Sequence, residues 1–395
     1  MRHPFQLTVE TLRAIAGSRR IFTNLPDVEA RRFLALFPGE VLSVPRRADK
    51  TNLDRAKWIV RRLRPGESAA FLTRIHPFIY RRMGWDLLEL CRAKGIPARA
   101  FGAVSLTELA ACRAFDEGAA PDPGTFRVFD IGHLNRNPDL LRPGEPTVIY
   151  CIGNDRDRPR LVRLLRRAYP AAGGAYVLGG SGDREDRAPW TPWRRLGIAL
   201  RLADIGCVLY VPAGGKGAPA RKGRGPVARL HGLGSRPGET TLETLAALDD
   251  GPGAVALAGP YPLAGAAARR LAARRAVRAT PSVSPVASAF ARAQFCLGGD
   301  YGYQGISVCE ADRLLADPGL HTARLPLVVH GGRGTSWARV GALLAQRLPP
   351  GHLAHAFPDA GKASLVPLAG LGKALKGSGT ALVPPTVPPA SPDLS

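Results

Sequence analysis

The stretch from Gly66 to Ser105 limits what this chain can become more than any other. The apolar run Ala69-Ala70-Phe71-Leu72 is short enough for a buried strand, and Pro77 forces its predecessor His76 out of helical geometry. Leu87, Leu88 and Cys91 then recur at helical spacing until Gly95-Ile96-Pro97 ends the helix, and a second strand is predicted to lead to Ala103-Val104-Ser105. This is a β-loop-α-β unit, whose two strands run parallel. In open α/β sheets small ligands sit at the carboxyl ends of the strands, so the loop from Thr73 to Phe78 is the first site candidate.

Around this unit strands and helices alternate, which predicts a parallel α/β layer. Helices are expected over residues 7 to 20, 28 to 36 and 52 to 63, and strands over 21 to 25 and 41 to 44. Residues 116 to 124 are rich in Gly, Pro and Asp and read as a linker. A smaller α/β subdomain follows, with strands over 126 to 131, 147 to 152, 175 to 178 and 208 to 212 and a helix over 159 to 169. Residues 214 to 226 hold little to bury and mark a boundary, and the Pro-rich tail beyond Lys376 is expected to be disordered.

The rest of the chain echoes the first part. Thr241 to Leu248 matches Thr8 to Ile15, Ala258 to Leu263 stands where Thr73 to Phe78 stood, and Pro281 to Ser284 stands where Gly102 to Ser105 stood. Pro326 to His330 echoes Pro146 to Tyr150. Late offsets agree (283 − 104 = 179; 326 − 146 = 180) and early ones do not (241 − 8 = 233), so the second copy is short of roughly forty to fifty residues, the size of one strand-helix pair. The expected domains are 1–213, divided near 118 and 119, then a linker over 214–226, a shortened repeat over 227–376 and the tail 377–395.

The order of strand, His-Pro with a following aromatic, helix, Lys94-Gly95-Ile96-Pro97 and Val-Ser turn resembles the tetrapyrrole methylase family of S-adenosylmethionine-dependent methyltransferases, nearest its borosin peptide N-methyltransferase branch. Leu230 to Gly238, which precedes the second copy's helix, resembles the family's first strand and its glycine-rich loop; the first copy retains only Met1 to Gln6 ahead of its helix. The resemblance implies two tandem, partly degenerate copies, each with a larger mostly parallel sheet subdomain and a smaller α/β one. It also implies S-adenosyl-L-methionine as cofactor, held by Arg74, His76, Pro77, Phe78, Ala103, Val104 and Ser105 in the first copy. In the second copy the corresponding residues are Gly232, Gly234, Gly238, Val283 and Ser284. Ile75 stands where the family has glycine, and Tyr261 replaces the His or Asp of the second copy.

Methyl transfer needs the nucleophile in line with the methyl group and shielded from water, and a proton acceptor only where the nucleophile carries a proton. His76 and Tyr80 are the nearest candidates for that acceptor. A His before Pro can equally serve as a hydrogen-bond partner of its own loop, and Tyr80 as a helix-start aromatic. Two functions therefore stand: a methyltransferase acting on a small tetrapyrrole-like molecule or a peptide, with the repeats packed as an internal pseudo-dimer, or an inactive pair of copies serving as a binding or scaffolding partner.

The net charge of +23 would ordinarily point to nucleic acid or an anionic surface. The excess is almost all Arg beside 45 Gly and 36 Pro, a composition that reads as GC-rich coding sequence, so only non-specific polyanion binding is expected. The six cysteines have no CxxC or zinc-finger spacing and read as buried free thiols. No metal site, membrane span or leader is expected, and the predicted compartment is the cytoplasm.

Overall fold

The computed structural model describes residues 7–24, 28–45, 51–73, 76, 78–79, 82–101, 105–116, 125–150, 156–178, 189–202, 207–215, 227–231, 276–280, 285–293, 305–320, 324–332, 334–358 and 362–386. The fold is mixed α/β. It divides into two compact units, the first made of residues 1–105 with 287–302 and the second of residues 106–286 with 303–395. Compactness thus groups the chain differently from the sequence-order division at 213 and 227, because strands from both ends of the second unit join one sheet.

The first unit alternates α1 (Val9–Ala16), β1 (Arg20–Thr23), α2 (Val28–Leu34), β2 (Glu40–Ser43), α3 (Asn52–Val60), β3 (Ala69–Leu72) and α4 (Arg82–Ala93). The helix starts follow from capping side chains. Thr8 accepts from the Thr11 amide at 3.0 Å, and Thr51 with Asp54 closes a reciprocal capping box. The three strands are all parallel in the order β2-β1-β3, with Ile21 and Phe22 buried at the centre. The second strand expected after α4 does not form over 96–101. Gly95 turns the chain with φ +65°, Pro97 has no amide to donate, and residues 97 to 99 stay exposed, with Arg99 ion-paired to Glu10.

The second unit opens with α5 (Leu106–Asp116) and continues through β4 (Thr125–Asp130), α6 (Ile131–Arg136), β5 (Thr147–Tyr150), α7 (Asp157–Ala168), β6 (Gly174–Leu178), β7 (Trp190–Pro192), α8 (Trp193–Leu202) and β8 (Val208–Val211). A separate parallel pair, β9 (Val227–His231) and β10 (Ala276–Thr280), packs against α5. α9 (Pro285–Ala293) belongs to the first unit from Ala287 on, and the second unit resumes with β11 (Gly305–Glu310), α10 (Ala311–Ala316), β12 (Leu327–Gly331), α11 (Trp337–Ala345), β13 (Leu353–Pro358), β14 (Ser364–Pro367), α12 (Leu371–Ala374) and β15 (Gly379–Val383). Ten of these strands form one sheet in the order β14-β13-β15-β12-β11-β4-β5-β8-β6-β7.

Its centre has local two-fold character. β4, α6, a 3-10 turn at Pro138–Leu140 and β5 recur as β11, α10, a turn at Pro318–Leu320 and β12, at a constant shift (305 − 125 = 311 − 131 = 318 − 138 = 327 − 147 = 180). β4 and β11 pair antiparallel with Arg127 opposite Ser307, and 307 − 127 is again 180, so the axis passes through that pair. Two separate apolar cores flank it, one around Phe129, Leu161 and Trp193, the other around Leu314, Trp337 and Leu371.

The tail beyond Lys376, expected to be disordered, begins instead with β15, a fully buried strand between β12 and β13. Pro384 and Pro385 set the composition of the segment and masked the short apolar run Ala381-Leu382-Val383 in front of them.

Candidate functional site

In the first unit, β2 lies on one side of β1 and β3 on the other, so the chain reverses its direction of travel across the sheet between those two strands. At such a switch point, the loops leaving adjacent parallel strands diverge and leave a crevice at their carboxyl ends. The loop after β3 is the one carrying His76.

His76 is fully buried. Its Nε2–H donates to the carbonyl oxygen of Ala287 at 2.9 Å, and its Nδ1 accepts from the Phe78 amide at 3.2 Å. A carbonyl can only accept and an amide can only donate, so these two partners define the neutral Nε2–H tautomer. Burial favours the same state, lowering the His76 pKa from 6.5 to about 4 against a smaller opposing effect of the Ala287 bond. The Ile79 amide donates to the His76 carbonyl at 3.4 Å, which closes the turn. Phe78, also buried, sits edge-on to His76 with ring centroids 6.1 Å apart and edge-on to Trp85 at 6.0 Å. The ring therefore has no nitrogen left to take a substrate proton. In this geometry His76 shapes its own loop, the alternative that the sequence offered beside proton acceptance.

Ser105, the last residue of the Val-Ser turn, is buried in the first unit. Arg74, Ile75, Pro77, Tyr80, Ala103, Val104, Gly232, Gly234, Gly238, Val283 and Ser284 lie outside the described residues. The structure thus brings His76 and Phe78 together at the head of α4. Sequence reasoning missed Ala287, whose part is played by a backbone carbonyl and leaves no signal in residue type, and Trp85, which reads as one more apolar residue of α4.

The second unit holds a buried charge that sequence reasoning also passed over. Arg127 is completely buried mid-strand; its Nε donates to Glu145 Oε2 at 2.8 Å and its Nη1 to the Leu140 carbonyl at 3.1 Å. The signal was legible as one Arg at the centre of the apolar run Phe126-Arg127-Val128-Phe129. In the same unit Thr107 of α5 shares a hydrogen bond of 2.9 Å with the Tyr150 hydroxyl. Among the described residues no group of three or more His, Cys, Asp or Glu side chains could hold a metal ion, and no helix is long and apolar enough to cross a membrane.

No protein-family model matches the sequence, and no curated protein is significantly similar to it. Among solved structures the chain is similar to uroporphyrin-III-C-methyltransferase from Thermus thermophilus, with 20% identity and a TM-score of 0.37 over 53% of this chain and 87% of that one. The native form of the same enzyme gives 19% identity and a TM-score of 0.38 over 52% and 91%. Its complex with S-adenyl homocysteine gives 18% identity and 0.39 over 52% and 91%.

Proposed function

We propose that the chain is an S-adenosylmethionine-dependent methyltransferase of the tetrapyrrole methylase type, acting on a small tetrapyrrole-like molecule or a peptide. One observation carries the reading: a loop pinned by two backbone hydrogen bonds of a buried histidine stands at the switch point of a parallel sheet. The cofactor supplies a methyl group already activated on a sulfonium. What remains for the protein is to bind, orient and exclude water.

The residues present fit that group. The neutral His76 ring puts no positive charge beside a sulfonium cation. In this proposal the loop backbone from Arg74 to Phe78 and the turn from Ala103 to Ser105 hold the cofactor, and His76 is a positioning residue. The tandem origin of the chain belongs to the same proposal, with the two copies packed as an internal pseudo-dimer and the Gly232, Gly234, Gly238, Val283 and Ser284 loops as the degenerate counterpart. The buried free thiols Cys91, Cys207 and Cys309 suit a reducing, cytoplasmic setting.

A second reading, a binding or scaffolding partner without catalysis, is favoured by the same two bonds, because they leave the ring with no proton-accepting nitrogen. Calorimetric titration with S-adenosylhomocysteine tests both. Micromolar binding is expected of the methyltransferase, and no heat at millimolar ligand contradicts it. Binding without methyl transfer to any tetrapyrrole or peptide offered supports the second reading.

A further inference from the structure

Helices α7 and α8 pack against each other in the second unit, and Arg166 pins them by donating from Nε and Nη2 to the carbonyl of Trp193 at the head of α8. Together the two helices (12 and 10 residues) carry eight arginines and one acid, Asp157. Arg160, Arg163 and Arg167 recur at i, i+3 and i+7, one stripe about 10 Å long on the exposed face of α7. Arg194, Arg195 and Arg201 are exposed on α8.

Several arginines elsewhere are neutralised: Arg20 by Glu40 and Glu67, Arg92 by Glu89, Arg99 by Glu10, Arg324 by Asp139. None of these six arginines of α7 and α8 makes an ion pair with another described residue. Like charges at helical spacing repel one another, so a face of this kind gains free energy from a polyanion laid across it.

We propose that the α7–α8 face is a docking surface for the phosphate backbone of a nucleic-acid duplex, a localised interface that does not depend on the methyltransferase reading. The guanidinium fork matches phosphate oxygens in pairs, which favours phosphate over a looser anionic partner. A bilayer is the weaker fit. The apolar side of α7, formed by Leu161, Val162 and Leu165, is buried in the protein core, and Ile198 is the one large apolar side chain exposed on α8. Membrane-surface helices instead insert a whole apolar face. Single strands fit less well too, since they stack on exposed aromatics, and Trp193, the only aromatic in the two helices, is buried.

The test is fluorescence anisotropy of the full chain with a labelled duplex of about two dozen base pairs, as DNA and as RNA, over a salt series. R160E/R163E/R167E is expected to weaken binding at least about tenfold and to make the slope of log K against log salt less negative by about 2.7, three contacts at about 0.9 each. The charge-matched triple R31E/R32E/R61E, on exposed residues of the first unit, is expected to change affinity less than about threefold. Should the glutamate triple fail to fold by circular dichroism, R160Q/R163Q/R167Q carries the same test with a smaller loss. Equal losses from the two triples would show that net charge alone acts and overturn the localised face. Tighter binding to phosphatidylserine vesicles than to duplex, or a preference of more than about tenfold between DNA and RNA, would overturn the phosphate-backbone assignment.

Discussion

The segments β4–α6–β5 and β11–α10–β12 have one backbone plan and two chemistries. Position 127 is a buried Arg held by Glu145, whereas its counterparts 307 and 325 are Ser and Leu. Across the axis, Phe129 faces Gly305 and Cys309 faces Thr125, so a large side chain against none on one side answers two of middling size on the other. Asp130 caps α6 by accepting from the Gly132 and His133 amides at 2.8 and 3.2 Å, while the Glu310 side chain makes no capping hydrogen bond to α10. The difference teaches that alternation, turns and total volume set this plan, and that one segment carries polar networks without departing from it.

The most severe way to break the comparison is to give the first copy one residue of the second. Glu145→Leu, which copies Leu325, strands the Arg127 charge in the interior and is expected to lower stability by about 3–5 kcal/mol. Adding Arg127→Met should restore most of it. Denaturant midpoints read both, and a single variant as stable as the double would show that the pair contributes nothing.

Acid should act next on the His76 loop. The His76 pKa is about 4 in the folded chain against an ordinary 6.5, so its contribution to stability is complete above pH 6.5 and is lost as pH falls through 4. That gap corresponds to about 3 kcal/mol. Stability measured from pH 7 to 4 should therefore flatten in His76→Asn, and an unchanged profile would count against the buried neutral ring.

A smaller effect is expected at Gly305, where an added Cβ would meet Phe129 Cδ1 at 2.6 Å. Gly305→Ala should cost about 1–3 kcal/mol by overpacking, and Phe129→Leu in the same chain should recover part of it. The smallest effect concerns the caps. Asp130→Ala should cost about 1 kcal/mol, whereas Glu310→Ala removes no capping bond and should cost less. Burial raises the Asp130 pKa, so its ionisation opposes folding as pH rises through the folded value; Asp130→Asn, which keeps the cap without the charge, should be neutral or slightly stabilising at pH 7. Thermal melts of the three variants check the order.

Much of this plan was legible in the sequence because periodicity and capping act over a few residues. The strand at Phe71, the helix through Leu88 and the echo of Pro146 in Pro326 needed only local pattern. What escaped depends on partners far along the chain. The segment 96–101 has no pairing neighbour among the described residues, while Ala381 to Val383 has a Pro-rich continuation and two neighbouring strands. His76 was visible as a residue of the loop, yet its role turns on a carbonyl 211 positions away. Arg127 was visible, and Glu145 beyond a turn was what made it tolerable.

The central proposal is that the His76 loop, and not the glycine-rich stretch from Gly232 to Gly238, is the place for an adenosyl cofactor. Photolabelling of the full chain with tritiated S-adenosylmethionine, followed by peptide mapping, tests it most directly. The account predicts label within residues 66 to 105, displaced by excess S-adenosylhomocysteine and lost in His76→Ala. Displaceable label within residues 227 to 240, or label in the first copy that survives His76→Ala undiminished, would contradict it.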